Sequence, residues 1–154
     1  MLELPYVPMS ALATNKRATF DYEILDTIEA GLVLTGQEVK SVKQGHMSLA
    51  GSFVTFHKKD ALLTNARISP YPQAGPLPSY DTTASRRLLL RKKEINYLRG
   101  KSLQKGLTII PLKVYTKNRF IKIEVAVARG RHTYDKREVI KKREVQREIR
   151  RAQK

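Results

Sequence analysis

The chain has 154 residues, no cysteine, 41% hydrophobic residues and a formal charge of +16, from 30 Lys/Arg against 14 Asp/Glu. Length and apolar content suffice for one domain with extensions, while the lack of cysteine excludes a disulfide scaffold and a thiolate zinc site. No run approaches the ~18 apolar residues of a membrane span, and no basic segment precedes an apolar run at the N-terminus, so a soluble cytoplasmic protein with no membrane partner is expected.

Residues 1–14 hold Pro5 and Pro8 and show no period, which reads as a flexible leader. A barrel domain is then expected over 15–130 and a basic tail over 131–154. Phe20, Tyr22 and Ile24 alternate with Asp21, Glu23 and Leu25, predicting a strand, and a second short strand is expected at Ala30 to Leu34. Thr35-Gly36-Gln37-Glu38 is a capping box that opens a helix over 36–44, with Val39 and Val42 on one face and Gly45 as the stop. Ser52 to Phe56 and Ala61 to Asn65 flank the polar turn His57-Lys58-Lys59-Asp60 and predict a hairpin.

Pro70, Pro72, Pro76 and Pro78 make 69–81 a long irregular loop. Leu88-Leu89-Leu90 ends a strand or enters a helix; Ile95 and Leu98 favour a helix from about Lys92 to Gln104, closed by Gly106. Leu107 to Tyr115 and Phe120 to Ala128 form a second hairpin around Thr116-Lys117-Asn118-Arg119. In its second arm Ile121, Ile123, Val125 and Val127 alternate with Lys122, Glu124, Ala126 and Ala128, the pattern of a half-buried strand. Pro111 in the first arm demands an edge or a bulge. About six antiparallel strands broken by two helices predict a mainly β fold, an OB-like barrel flanked by short helices.

The stretch from Arg129 to Lys154 carries 11 basic and four acidic residues. Its apolar surface is too small to offset the entropy of ordering, so it is expected to be loose when alone and helical against a polyanion. Asp135 is placed to cap that helix, with Glu138 at its third position. Glu138 and Lys142 stand at i,i+4 in the favourable order, and Val145, Ile149 and Ala152 make a thin stripe.

Catalytic chemistry finds little support. His46, His57 and His132 are scattered, no glycine-rich phosphate loop exists, and Ser and Thr lack a nucleophile context. Carboxylates such as Asp21, Glu23, Asp26, Glu29 and Glu38 could in principle assemble a two-metal nuclease site, and strand-face or capping roles explain them at least as well. No enzyme, cofactor or metal is expected. Basic residues tell more. Asn15-Lys16-Arg17 precedes the first strand, Lys40 and Lys43 lie on the first helix, Arg86-Arg87 and Arg91-Lys92-Lys93 bracket Leu88 to Leu90, and Lys113, Lys117, Arg119 and Lys122 surround the last hairpin. Cations on a barrel, in body and tail alike, predict a nucleic-acid partner before an anionic membrane.

Several segments carry a family resemblance: Asn15-Lys16-Arg17-Ala18, Glu29-Ala30-Gly31, Leu34 to Ser41 (LTGQEVKS), Leu88-Leu89-Leu90, Gly106-Leu107-Thr108 and Tyr134-Asp135-Lys136-Arg137-Glu138. In order and spacing, from Asn15 to the C-terminus, the set resembles the bacterial small protein B (SsrA-binding protein) family. The resemblance implies an OB-like barrel bound to the tRNA-like domain of transfer-messenger RNA. That complex enters stalled ribosomes for trans-translation, with elongation factor Tu and GTP accompanying the aminoacylated RNA.

It also implies RNA contact at Glu29, Leu89 and Lys122: an acceptor for base or ribose donors, an apolar support for an unstacked base, and a phosphate partner. On residue type alone, Leu89 is as well explained by core packing and Lys122 by a solvated strand face. Asn15, Lys16, Arg17 and Lys40 are further RNA-contact candidates. Tyr134, Asp135, Lys136 and Arg137 would fall near the decoding centre, with Lys141, Lys142 and Arg143 continuing along the empty message channel. No function is assigned to 69–81.

Overall fold

The structure, a computed structural model, describes residues 11–75, 78–131 and 133–152, and leaves aside the side chains of 132–136 and 138. The described chain is mainly β, as expected. Seven strands form one antiparallel sheet in the order β1-β8-β9-β2-β7-β5-β4: β1 (Ala11–Thr14), β2 (Tyr22–Leu32), β4 (Phe53–His57), β5 (Asp60–Thr64), β7 (Arg86–Leu89), β8 (Leu107–Lys117) and β9 (Phe120–Gly130). A small ladder pairs β3 (Met47–Ser48) with β6 (Arg67–Ile68). Strand β4 comes back alongside β8, which rolls the sheet towards a closed OB-like barrel. The interior is filled by side chains such as Leu49, Val54, Leu63, Ile68, Leu88, Ile109, Ile123 and Val125.

Four helices decorate this sheet: α1 (Ala18–Asp21), a single turn; α2 (Gly36–Lys43); α3 (Lys92–Ser102); and α4 (Thr133–Ala152). Helix α2 starts where the capping box predicts. The Thr35 hydroxyl oxygen accepts the Glu38 N–H at 3.2 Å, and the Glu38 carboxylate accepts the Thr35 N–H at 3.1 Å. Gly45, at φ +83°, supplies the left-handed residue that follows the helix. Helix α3 plugs the barrel with Leu98, which is fully buried.

Four sequence expectations need correction. The leader expected over 1–14 ends sooner, because Ala11–Thr14 pairs with β8 as an edge strand. Residues 1–10 lie outside the described residues. The two short strands expected around Ile24 and Ala30 are one strand, β2, which crosses the polar Asp26-Thr27 step with a bulge between Ile24 and Asp26. Phe20 belongs to α1, not to that strand. The last hairpin turns on two residues, not four: Asn118 and Arg119 have φ +50° and +70°, and Lys117 faces Phe120. Pro111 sits beside a bulge between Pro111 and Lys113, one of the two situations expected of it.

Each face of β9 has its own cover. Ile121, Ile123, Val125 and Val127 point into the barrel. On the outer face Ala126 and Ala128 are small because α1 packs over them: Ala18, Ile110, Ala126 and Ala128 make a second apolar cluster, flanked by Tyr22, Ile24 and Leu112. The turn before α1 is tied to the β8 bulge, where Asn15 donates its backbone N–H to the Leu112 carbonyl at 2.8 Å and its side-chain amide to the Pro111 carbonyl at 3.0 Å. Beyond Ala126 no helix among the described residues packs on the outer face, and that half is where the candidate site lies.

Candidate nucleic-acid interface

Strand register assembles the site. Gly31 of β2 pairs with Leu89 of β7 on one side and with Lys122 of β9 on the other, and Lys122 in turn pairs with Tyr115 of β8. Side chains of paired residues share a face, so Leu89, Lys122 and Tyr115 form one outward row across four strands. The adjacent row on the same face holds Glu29, Glu124 and Lys113. On the other side lie Val33, Phe120 and Lys117, with Arg87 bonded to Val33 through its backbone. Glu29, Leu89 and Lys122, separated by as many as 93 positions in the chain, are thus neighbours on one surface.

That surface is amphipathic. Leu89 is 55% exposed, Phe120 68% and Val33 44%, so Leu89 is not a core residue and the three make an apolar strip. The Lys122 ammonium stands 6.0 Å from the Phe120 ring centre, and that of Lys113 5.6 Å from the ring of Tyr115. Gly31 has a steric role at the centre: a Cβ there would come 3.1 Å from the Leu89 Cβ. Leu89 lies across the strand because Gly31 has no side chain.

Glu29 is an anion held among cations. It faces Glu124 directly, a like-charge pair that is unfavourable by itself. Tyr115, buried to 3% exposure, donates its hydroxyl to Glu29 Oε2. Lys117 Nζ lies 3.3 Å from Oε1 and 3.4 Å from Oε2. The Tyr115 hydrogen bond is the largest influence on the carboxyl and, with Lys117 and the charge of Lys122, holds it below the usual glutamate range despite the opposing effect of burial. Burial first, and then Glu29, push the Tyr115 hydroxyl well above the ordinary tyrosine range. The phenol therefore stays a donor and the carboxylate an acceptor at neutral pH.

The remaining candidates lie elsewhere. Asn15, Lys16 and Arg17 precede α1, at the opposite end of β2 from Glu29. Asn15 is engaged with β8 as described; Lys16 is exposed; Arg17 pairs with Asp21 at 3.4 Å and stacks over Phe20 at 5.0 Å. Lys40 lies on α2 with its ammonium 5.5 Å from the Tyr71 ring centre. Among the body cations singled out by sequence, Arg86 is not a surface residue at all. It is 4% exposed and sends Nη2 to Glu38 Oε2 at 2.7 Å, Nη1 to the Ala66 carbonyl at 2.7 Å and Nη2 to the Thr82 carbonyl at 3.1 Å. Its neighbour Arg87 points outward and pairs with Asp60 at 3.3 Å.

In the arm, α4 begins at Thr133, so Asp135 sits inside the first turn and not at the cap. The side chains of Tyr134, Asp135 and Lys136 lie outside the described residues. Arg137, Lys141, Lys142 and Arg143 are exposed, as are Val145 and Ile149 of the apolar stripe. The arm is rooted on the barrel by Arg131, whose N–H donates to the Asp21 carbonyl at 2.9 Å and whose Nε donates to the Tyr22 carbonyl at 3.2 Å. About three turns further on, Arg143 Nη2 donates to Thr19 Oγ1 of α1 at 3.0 Å. No group of three or more metal-ligating side chains gathers among the described residues, and no helix among them is long and apolar enough to cross a membrane.

Sequence reasoning did not single out Tyr115, nor Val33 and Phe120 as surface residues. The signal for Tyr115 was the hairpin register: a two-residue turn at Asn118-Arg119 places it opposite Lys122, whereas the four-residue turn does not.

The chain is similar to known proteins in sequence and in fold. Residues 12–154 match the family described as SmpB protein. An SsrA-binding protein from Exiguobacterium sp. is 50% identical over 143 residues, covering 93% of this chain and 91% of its own length. One from Chloroflexus aggregans is 45% identical over 144 residues, covering 94% and 91%. A chain in the solved structure "tmRNA-SmpB: a journey to the center of the bacterial ribosome" is 41% identical and aligns with a TM-score of 0.67 over 87% of this chain and 95% of its own. By sequence along nearly its whole length and by fold, the chain belongs to the SmpB protein family.

Proposed function

We propose that the protein binds the tRNA-like domain of transfer-messenger RNA through the outward face around Glu29, Leu89 and Lys122 and delivers that RNA to stalled ribosomes for trans-translation in the cytoplasm. The observation that carries this reading is the gathering of an acceptor carboxylate, an exposed leucine and a lysine on one uncovered sheet face, in a chain whose relatives bear the name SsrA-binding protein. Lys122 neutralises a phosphate. Leu89, Val33 and Phe120 support an unstacked base. Glu29 accepts from base or ribose donors and repels phosphate, which sets the register of the backbone. Lys16, Arg17 and Lys40 extend the cationic footprint, and Asn15 supports it by fixing the turn before α1.

The arm serves the ribosome. The described side chains of α4 are almost all exposed, so its order depends on a polyanionic partner. In this reading it lies in the message channel when that channel is empty. Tyr134, Asp135, Lys136 and Arg137 are near the decoding centre, and Lys141, Lys142 and Arg143 run along the channel. Elongation factor Tu with GTP accompanies the aminoacylated RNA, and the protein itself makes and breaks no bonds.

The test is binding to the tRNA-like domain at near-physiological salt with ordinary tRNA as competitor. A clear preference is expected, falling when Glu29 or Lys122 is replaced; equal binding to both RNAs would reduce the face to a general polyanion surface. Truncation after Arg131 is expected to preserve RNA affinity and abolish tagging, and retained tagging would remove the arm's role.

A further inference from the structure

A glutamate among lysines does not by itself make a directional acceptor. Its side chain has three rotatable bonds, and with Lys117 and Lys122 as its only neighbours it would sample many ion-paired arrangements, each presenting its oxygens differently. The structure supplies a restraint. Tyr115 is rooted in β8 with its ring laid on the outward face and buried there, and its hydroxyl reaches across β9 to Glu29 Oε2. A buried aromatic side chain has few alternative rotamers, so the hydrogen bond fixes the carboxylate to the rigid part of the barrel. A carboxylate has about four acceptor positions. Tyr115 takes one, Lys117 leans on the edge between the two oxygens, and the others face solvent.

We propose that Tyr115 is the positioning residue for Glu29: it aims the carboxylate so that its free lone pairs meet an N–H or O–H donor of the RNA, a base edge or a ribose hydroxyl. This deepens, and rests on, the assignment of the face as the RNA interface. Preorganisation of this kind raises affinity by removing the ordering cost at the moment of binding. It also raises selectivity, since a fixed acceptor rejects phosphate and any base edge that presents only acceptors. The lowered pKa of Glu29 agrees with the geometry, because an acceptor must remain ionised.

The experiment uses the full chain with Tyr115→Phe, Glu29→Gln and the double variant. Tyr115→Phe keeps the ring and removes only the hydroxyl, and the Glu29 oxygen it releases is open to water. Affinity for the tRNA-like domain, against tRNA competitor, is expected to fall roughly three- to tenfold in Tyr115→Phe. The double variant should be no weaker than Glu29→Gln alone, and the salt slope should be unchanged because no phosphate contact is lost. Additive losses in the double variant would overturn the proposal.

A second readout needs no RNA: the carboxyl carbon of Glu29 followed by NMR titration. The charged groups facing Glu29 are Lys113 and Lys117 from β8 and Lys122 and Glu124 from β9, and all are retained in Tyr115→Phe. The midpoint should rise towards the ordinary glutamate value, and an unmoved midpoint would overturn the proposal. If the wild-type protein fails to prefer the tRNA-like domain while the midpoint still moves, the RNA reading fails and the Tyr115–Glu29 coupling stands.

Discussion

Two glutamates in this molecule share one chemistry and serve two ends. Glu38 and Glu29 each bond a tyrosine hydroxyl and a basic side chain, and each carboxyl is held below its ordinary range. Glu38, in the first turn of α2, has 8% side-chain exposure against Arg86 at 3%, whereas Glu29 and Lys117 are exposed at 36% and 47%. Around Glu38 four donors fill most acceptor positions: Oε2 accepts two bonds from Arg86 and one from the Tyr80 hydroxyl at 3.2 Å, and Oε1 accepts the Thr35 amide. Around Glu29 some remain free. Burial, not residue identity, separates a carboxylate that holds the fold from one with acceptor positions left open to solvent.

The largest effect that would break this comparison is on stability. Arg86→Ala leaves the Glu38 charge buried without its partner and should cost about 3–5 kcal/mol in chemical denaturation. Lys117→Ala, the matching change at Glu29, should move stability by less than about 1 kcal/mol.

Acid sharpens the contrast. Burial disfavours the ionised form of Glu38, but the Thr35 amide, the hydrogen bonds and charge of Arg86 and the Tyr80 hydroxyl outweigh it, so its folded pKa lies below 4.5. A depressed carboxyl contributes stability that is fully present above the unfolded value and lost as pH falls through the folded one. Stability should therefore decline below about pH 4.5, and denaturation curves of Glu38→Gln should show a flatter acid limb than those of Glu29→Gln.

Gly31→Ala comes next. The new Cβ presses on Leu89, so the expected cost is about 1 kcal/mol in stability, with a larger proportional loss in affinity for the tRNA-like domain, read by competition binding. Lys122→Ala is the mildest: affinity should drop a few-fold across RNAs, and the slope of log K against log salt should shrink by about one. An unchanged slope would mean that Lys122 meets no phosphate.

Local signals carried much of the fold into the sequence. Thr35 and Glu38 bond each other three residues apart, so their capping box was legible. The alternation of Ile121 to Val127 identified the inner face of β9, because a strand's period is a local property. What escaped was set at a distance. Arg86 looked like another surface cation because its partner Glu38 lies 48 residues away. β1 looked like leader because edge pairing with β8 leaves no period in four residues. Tyr115 and Lys122 meet only through the two-residue turn, and Asn118-Arg119 lacks the glycine that usually announces one. The role of Leu89 was undecidable between core and surface until its register against Gly31 was known.

Strand β2 has a mechanical meaning. Its first residue, Tyr22, receives the bond from Arg131 that roots the arm, and seven residues along it stands Glu29. With one residue taken up by the bulge between Ile24 and Asp26, at about 3.3 Å per residue the two are about 20 Å apart, along a strand bonded on both sides at its far end and unable to stretch. The molecule is thus a gauge. If RNA docks at Glu29 as proposed, the docked group is held at a set offset from the point where the arm departs, so the contact at one end fixes where the arm begins at the other.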